Sequence, residues 1–289
     1  MLFRSYLLFL DGDCIVPRDH VWQHLTRRQP HVAMAGYCYW FDRATSARIT
    51  PEIARRGDYQ QWVTWQRMWD LKRFAWKSRL YTILRHPSKP KLFGGNAGVW
   101  HADYERINGY DEQYVGWGCE DDDFRLRLRR AGIAVRSILK WTNTYHLWHP
   151  RDASAPDRWS DGENVRYHHR PVRLTRCRHG MHKRQDQDLH VRVVGDRDLP
   201  ENARSFLSRL PVRPDSKAEP EVEIAFVPGP GRFSGRADCN VLVVLERIER
   251  LEERARHADI LVIDHPCTIP GPKQQLPLRH FNRILKSVA

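Results

Sequence analysis

The 289-residue sequence contains no apolar run that approaches the ~20 residues needed to cross a bilayer. Its six cysteines form no Cys-x-x-Cys pair, which argues against a zinc ribbon, and their spacing gives no disulfide framework. The apolar start runs directly into Asp11, so it does not have the pattern of a signal peptide. We therefore expect a reducing, cytoplasmic location, with at most a peripheral contact to the cytoplasmic face of a membrane.

Negative charge is scarce relative to positive charge. The sequence has 48 Lys and Arg against 35 Asp and Glu, which gives a formal net charge of +13. A basic surface suits a nucleotide diphosphate, an acidic glycan, an anionic membrane or a nucleic acid, although it also occurs without a partner. No helix-turn-helix, zinc-finger or RNA-recognition pattern is present, so we expect no nucleic acid partner.

Two carboxylates follow the first apolar run. Residues 6–10 predict a buried strand that ends in Asp11-Gly12-Asp13. Ligands of open α/β sheets lie at the carboxyl ends of strands. Hard divalent cations prefer carboxylate oxygen and neutralise the charge of a diphosphate leaving group. Alone, the pair is more typical of a turn with solvated carboxylates.

A second acidic cluster favours a functional role for Asp11 and Asp13. Residues 120–123 place four carboxylates at the predicted start of a helix, where one or two would complement the helix dipole. Adjacent carboxylates repel, which raises the pKa of at least one and suits a general base. His146 and His149 follow a predicted strand and are either metal ligands or surface histidines.

Apolar spacing also predicts the organisation of the chain. Residues 31–41 predict one strand, and residues 58–84 predict a long helix with a row of tryptophans. We interpret the row as a core face, with a sugar-stacking platform or a membrane-surface contact as alternatives. Composition changes near Arg151, and a parallel βαβ-like pattern follows Asp188. Within this pattern, residues 245–258 predict a charged helix with Ile248, Leu251 and Ala255 on one face. We predict a catalytic domain at 1–150, a basic linker or tail at 151–187 and a small α/β domain of unknown role at 188–289.

Four ordered segments resemble those of family 2 glycosyltransferases with the GT-A fold; they are residues 6–13, 93–111, 116–124 and 145–150. Three motifs in them are similar to the C-terminal region of β-1,4-galactosyltransferases; they are Phe93-Gly94-Gly95, Ile107-Asn108-Gly109-Tyr110-Asp111-Glu112 and Trp117-Gly118-Cys119-Glu120-Asp121-Asp122. The resemblance implies a partial GT-A fold, an α/β architecture with a Rossmann-like mixed sheet flanked by helices, beside a second, smaller α/β region. In the family a nucleotide-binding βαβ region precedes the segment matched by Tyr6, so we expect this chain to be N-terminally truncated.

The resemblance further implies an inverting, metal-dependent glycosyltransferase of the hexosyltransferase kind. Such an enzyme moves a sugar from a UDP-sugar to a glycan or lipid-linked acceptor in surface polysaccharide synthesis, with Mn²⁺ or Mg²⁺ as cofactor. Asp121 would be the general base, with Glu120 as the second catalytic residue. The other implied site residues are Asp11, Asp13 and His146 for the metal, with His149 as a substitute, and Gly94, Gly95, Trp117, Asp122 and Leu92 for the substrates.

Two other hypotheses remain open. A non-catalytic fragment or scaffold module would keep the fold without the nucleotide-binding half, and this chain alone would then be inactive. A metal-dependent hydrolase would share the carboxylates, but its site would not need the Gly-Gly turn.

Overall fold

The computed structural model describes residues 5–84, 86, 88–195, 199, 201–210, 219–229, 232–246, 249–264 and 269–288. The chain divides into two units, Met1–His168 and His169–Ala289. Both units contain strands and helices, so the predicted α/β class is confirmed. The segment predicted as a linker, 151–187, is shared between the two units. Among the described helices, none combines the length and the hydropathy needed to cross a membrane.

The first unit alternates short strands with helices. Its strands are β1 (Tyr6–Phe9), β2 (Cys14–Ile15), β3 (Val32–Ala35), β4 (Cys38–Trp40), β5 (Ala97–Trp100), β6 (Ala134–Ser137) and β7 (Thr144–His146). Its α-helices are α1 (His20–Arg27), α2 (Arg43–Ala47), α3 (Pro51–Arg56), α4 (Trp65–Ile83), α5 (His101–Arg106), α6 (Glu120–Arg130) and α7 (Glu163–His168). Single 3₁₀ turns lie at Asp58–Trp62, Gly94–Asn96 and Trp159–Asp161.

Two sheets bring distant segments of the first unit together. The larger sheet has the order β1-β5-β3-β6, and Phe9 of β1 lies opposite Ala97 of the antiparallel β5. This register places the residues after β1 beside the Gly94–Asn96 turn. The smaller sheet has the order β2-β7-β4, with Cys14 opposite His146. The two acidic residues between β1 and β2 therefore lie next to both the glycine turn and β7.

The core of the first unit lies between the larger sheet and α6. Phe124 and Leu128 of α6 are fully buried, and the Phe9 ring packs against Tyr110 and Phe124. The other buried members are Ala33, Ala35, Leu92, Ala97, Val99, Ile107, Ala131, Ile133 and Val135. Full burial of each large apolar side chain stabilises the fold by about 1.5–3 kcal/mol. This packing fixes the amino end of α6 near the end of β1.

Residues 31–41 do not form the single predicted strand. The segment divides into β3 and β4, which belong to different sheets. At the break, Gly36 donates its N–H to the Asn96 carbonyl at 2.7 Å, and a Cβ on Gly36 would lie 2.1 Å from Asn96 Cγ. The close approach of the Asn96 side chain therefore redirects the chain, and the prediction of one strand is wrong.

Three tryptophans of the predicted row lie on α4, which begins after Thr64; the Thr64 hydroxyl accepts a hydrogen bond from the Arg67 N–H. Trp65, Trp69 and Trp76 are 69%, 49% and 66% exposed, so the interpretation as a core face is wrong for them. Trp62, the first member of the row, lies in the preceding 3₁₀ turn and packs, partly buried, against the cluster that contains Tyr59.

The second unit contains a five-stranded parallel sheet with the order β12-β11-β10-β9-β8. Its strands are β8 (Val191–Val193), β9 (Val222–Val227), β10 (Cys239–Val244), β11 (Ile260–Val262) and β12 (Gln274–Leu276), and its α-helices are α8 (Glu201–Leu207) and α9 (Leu251–Ala255). The parallel pairing matches the predicted βαβ-like pattern, and α9 lies within the predicted charged helix. Ile248, which we placed on one face of that helix, lies outside the described residues.

A buried ion pair on α6 provides a test of the first unit. The Arg127 Nε donates to Asp123 Oδ2 at 2.6 Å, and both side chains are fully buried. Arg127 Nη1 also donates to the carbonyls of Ile107 and Gly109, at 2.9 and 2.7 Å. We expect Arg127→Met to lower the free energy of unfolding by about 3–5 kcal/mol, because it leaves a buried carboxylate without its cation. Urea denaturation followed by circular dichroism measures this loss.

The matched control is Arg130→Met, which removes an exposed arginine from the same helix. That change should alter the free energy of unfolding by less than about 0.5 kcal/mol. Equal losses in the two variants would contradict the structural role of the buried pair.

Candidate active site

The predicted metal residues Asp11, Asp13 and His146 lie together in the structure. The Cys14 N–H donates to the Asp11 carbonyl at 3.0 Å, which closes the acidic turn just before β2. Because β2 pairs with β7, His146 Nε2 lies 3.2 Å from Asp13 Oδ1. His149 Nε2 lies 3.2 Å from the other oxygen, Asp13 Oδ2. Both histidines therefore face one carboxylate.

The tautomers of the two imidazoles follow from their backbone contacts. His146 Nδ1 lies 2.7 Å from the Leu147 carbonyl oxygen, and His149 Nδ1 lies 2.6 Å from the Pro150 carbonyl oxygen. A carbonyl oxygen only accepts, so each Nδ1 carries a hydrogen. In a neutral ring, Nε2 would then present its lone pair to a carboxylate oxygen. A shared cation would satisfy both lone pairs and the carboxylate at once, as would protons placed between them.

These residues fit a divalent cation. Ligand atoms of Asp11, Asp13, Cys14 and His146 lie within 4.8 Å of one another. Asp13 Oδ1 is buried and makes no hydrogen bond with the described part of the chain. Neighbouring ligands around a divalent ion lie about 3 Å apart when each bond is about 2.1 Å. Metal-bound histidines characteristically donate their second N–H to a backbone carbonyl, as both rings do here.

Asp121, the predicted general base, lies in a mostly buried position at the start of α6. Its Oδ2 accepts from the Gly94 N–H at 2.8 Å, and its Oδ1 accepts from the Tyr110 hydroxyl at 3.0 Å. The pKa of the Asp121 carboxyl is raised to about 7, chiefly by burial and also by the charges of Glu120 and Asp11, against the lowering effect of its two hydrogen bonds. The carboxyl is therefore poised to gain or lose a proton near neutral pH.

The Gly94-Gly95 turn lies very close to the carboxylates of both Asp11 and Asp121. A Cβ on Gly94 would lie 3.3 Å from Asp121 Oδ1 and 3.7 Å from Asp11 Oδ1. A Cβ on Gly95 would lie 2.5 Å from Asp11 Oδ2 and 2.6 Å from Cys38 Sγ. The turn therefore joins the metal-type cluster to Asp121 in one continuous site, and glycine at position 95 is required by that close approach.

The other acids of residues 120–123 have different environments. Burial raises the pKa of Glu120, and the charges of Asp11 and Asp122 add to this effect. Asp122 lies 3.2 Å from Arg125 Nη2 and 3.5 Å from Lys91 Nζ. Asp123 forms the buried pair in the core, so it is not available to a substrate. Glu120 and Asp121 therefore belong to the site. Asp122 is paired with two cations, and Asp123 stabilises the core.

Of the remaining predicted substrate-binding residues, Trp117 lies at the surface and Leu92 lies in the core. Trp117 is half exposed, and its ring packs edge-on against Trp159 at 5.6 Å. Leu92 is buried in the core with Phe124. The predicted contacts of Asp122, Trp117 and Leu92 with substrates stay predictions.

The structure adds three residues to which sequence reasoning gave no role. Tyr110 binds Asp121, Cys14 joins the metal-type cluster, and Trp40 stacks on the His146 ring with centroids 3.7 Å apart. Tyr110 lies inside the galactosyltransferase-like motif at 107–112, so the sequence did indicate that it could belong to the site. Trp40 reaches His146 only because β4 pairs with β7, which sequence spacing does not show.

Comparison with known proteins is consistent with this geometry. Residues 80–150 match the family model described as the N-terminal domain of galactosyltransferase. Human beta-1,4-galactosyltransferase 3 is 41% identical over 46 residues, which cover 16% of this chain and 12% of that protein. Beta-1,4-galactosyltransferase 2 is 35% identical over 78 residues in Cricetulus griseus and 32% identical over 103 residues in Homo sapiens. These two matches cover 26% and 34% of this chain.

The matches span only 12% to 26% of the length of these curated relatives. The matched stretch nevertheless contains the glycine turn, the acidic run and both histidines. The predicted resemblance to β-1,4-galactosyltransferases is therefore confirmed over the stretch that matches the galactosyltransferase family model, residues 80–150.

Proposed function

We propose that the first unit catalyses inverting transfer of a hexose from a UDP-sugar to a hydroxyl of a glycan or lipid-linked glycan. One observation carries the proposal: two imidazoles face Asp13, and the neighbouring Asp11 lies with a buried Asp121 at the Gly94-Gly95 turn. The family of residues 80–150 supports glycosyl transfer, and the names of the relatives support a galactose-like donor. A role in surface polysaccharide synthesis belongs to the same proposal.

The residues around Asp13 are suited to binding the donor diphosphate through a cation. A divalent cation such as Mn²⁺ or Mg²⁺, held by Asp13, His146 and His149 with Asp11 beside them, supplies positive charge against the diphosphate leaving group. Nitrogen ligands favour Mn²⁺ over Mg²⁺, because Mg²⁺ prefers oxygen.

Asp121 is suited to accept the proton of the attacking hydroxyl. In the transfer, the acceptor oxygen bonds to the anomeric carbon, the bond from that carbon to the diphosphate oxygen breaks, and the hydroxyl proton moves to Asp121. Each Asp121 oxygen accepts one hydrogen bond and keeps a second acceptor site. The Gly94 N–H and the Tyr110 hydroxyl hold the carboxylate in place for this step. A single base and a single attack give inversion.

The first test removes the shared ligand of the cation. Asp13→Asn keeps the shape of the side chain but loses the charge between the two imidazoles. We expect Mn²⁺ affinity, measured by calorimetry with the full chain, to fall by more than about tenfold. Manganese-dependent UDP binding and UDP-sugar hydrolysis should fall with it.

Asp122→Asn is the matched control, because Asp122 pairs with Arg125 and Lys91 and lies outside the metal-type cluster. Its Mn²⁺ affinity should stay at the wild-type value. Unchanged Mn²⁺ binding in Asp13→Asn would refute the proposed cation site. Wild-type Mn²⁺ binding without UDP binding or hydrolysis would favour the scaffold hypothesis.

The second test uses pH. Because the pKa of Asp121 is raised to about 7, its basic form is lost as the pH falls through this value. We expect the transfer rate to fall about tenfold per pH unit below the pKa, and Asp121→Asn to remove transfer while sparing Mn²⁺ and UDP binding. A rate that is constant between about pH 5 and pH 8 would contradict the role of Asp121 as base.

The same pKa shift affects stability, which gives a readout without activity. The native state holds the Asp121 proton more tightly than the unfolded chain does, so Asp121 lowers stability as the pH rises from 3.8 towards about 7. Asp121→Asn should therefore make the free energy of unfolding decline less over this range. An identical pH dependence in the wild type and the variant would contradict the raised pKa.

The third test concerns the close approach at Gly95. A Cβ in Gly95→Ala would collide with Asp11 and Cys38, so we expect Mn²⁺ affinity and hydrolysis to fall by at least about tenfold. Gly12→Ala is the control in the acidic turn itself, since a Cβ there meets nothing within 4 Å. Equal behaviour of the two alanine variants in calorimetry and hydrolysis assays would show that the contact does not position Asp11.

A further inference from the structure

The solvent-facing side of α4 carries an apolar stripe that Lys72 interrupts. Trp65, Trp69, Trp76, Leu80 and Ile83 follow one another at spacings of three, four or seven residues, so they share one face of the helix. All five are exposed, with Trp65, Trp76 and Ile83 at 69%, 66% and 67%. At 1.5 Å per residue the stripe is about 27 Å long. An exposed row of large apolar side chains of this length marks a surface that binds a partner.

Two cations lie on the same face as this stripe. Lys72 lies within it, with its Nζ 5.4 Å from the centre of the Trp69 ring, and Arg79 lies beside it. The other basic residues of α4, Arg67, Arg73 and Lys77, are exposed on the side that lines a cavity. The helix contains one acid, Asp70, so its formal charge is five minus one, or +4. A partner that binds the stripe must therefore offer both apolar surface and negatively charged groups.

A bilayer surface with anionic headgroups meets both requirements. Tryptophan rings prefer the level of the headgroups, and lysine and arginine reach phosphate groups while their stems stay in apolar surroundings. A second copy of the chain is a poorer match, because two such helices would bring like charges together at the same contact. An acidic protein would satisfy the cations but would have to supply a matching apolar groove.

We propose that the outer face of α4 binds the surface of an anionic membrane, with Trp65, Trp69 and Trp76 in the headgroup region and Lys72 and Arg79 on lipid phosphates. The helix then lies along the membrane plane. This assigns a function to the tryptophan row that the transfer chemistry does not use.

The opposite side of α4 borders the candidate active site. A cavity of about 410 Å³ lies between α4 and β4, lined by Arg67, Arg73, Lys77, Cys38, Tyr39 and Trp40 among others. Trp40 also stacks on His146. Membrane binding would hold this cavity about one helix diameter, roughly 10 Å, from the lipid surface, which suits a lipid-linked acceptor. That consequence rests on the proposed function, whereas membrane binding itself needs neither metal nor donor.

The test is sedimentation of the full chain with vesicles, without Mn²⁺ and without nucleotide. We expect binding to equimolar phosphatidylcholine and phosphatidylglycerol vesicles and at least about tenfold weaker binding to pure phosphatidylcholine. Trp65→Gln with Trp76→Gln should weaken binding to the anionic vesicles at least about tenfold. The matched control is Trp22→Gln with Trp141→Gln, which removes two tryptophans that are 57% and 41% exposed elsewhere on the first unit. This control should bind like the wild type.

A second pair of variants tests the charges. Lys72→Glu with Arg79→Glu should weaken binding to anionic vesicles at least about tenfold. Arg232→Glu with Arg236→Glu makes the same change of charge at exposed positions in the second unit and should bind like the wild type. Circular dichroism confirms that each variant is folded.

Three outcomes would overturn the proposal. They are no binding of the wild type to anionic vesicles, wild-type binding by both α4 variants, and equal weakening by the α4 variants and their controls. A wild-type dimer that Trp65→Gln with Trp76→Gln converts to a monomer, without any vesicle binding, would assign the stripe to self-association instead. Because no transfer is measured, none of these outcomes depends on whether the proposed catalytic function is correct.

Discussion

The contact of Asp11 and Cys38 with Gly95 is the constraint on which the candidate site depends. Any side chain at position 95 would overlap the Asp11 carboxylate. Only glycine therefore allows the backbone of the turn to lie this close to Asp11. The pairing of β1 with β5 holds Asp11 close to Gly95, and β4 holds Cys38 close to Gly95. The neighbouring Gly94 uses its N–H to hold Asp121, so a single turn positions both carboxylates.

Environment, rather than residue type, gives the four acids of residues 120–123 their different properties. Asp123 faces the core and is neutralised by Arg127, whereas the partly exposed Asp122 pairs with the exposed Lys91 and the buried Arg125. Asp121 is buried without a cation partner among the described residues and is held only by neutral donors, which is why burial dominates its pKa.

Local patterns predicted the elements that carry the site. The apolar run before Asp11, the acidic start of α6 and the histidines after β7 all follow from short-range sequence signals, and the structure brings their residues together. The sequence could not choose between His146 and His149, because both are set by the pairing of β2 with β7 and by the turn after it. The structure places both imidazoles at equal distance from Asp13.

Long-range packing explains the predictions that failed. The break between β3 and β4 depends on Asn96, sixty positions beyond Gly36, and no local signal reports it. The tryptophan row was correctly placed on one helical face, but periodicity does not say which face is inside. Leu71 and Phe74 line the cavity on the opposite side of α4, so this helix has apolar residues on both sides.

The central claim is that Asp13 shares one divalent cation with two imidazoles. Pulsed electron paramagnetic resonance of Mn²⁺ bound to the full chain tests it most directly, because it detects nitrogen atoms bonded to the ion. The account predicts two nitrogen couplings, of which one disappears in His146→Gln and the other in His149→Gln. A spectrum of bound Mn²⁺ without nitrogen couplings, or one that neither variant changes, would contradict it.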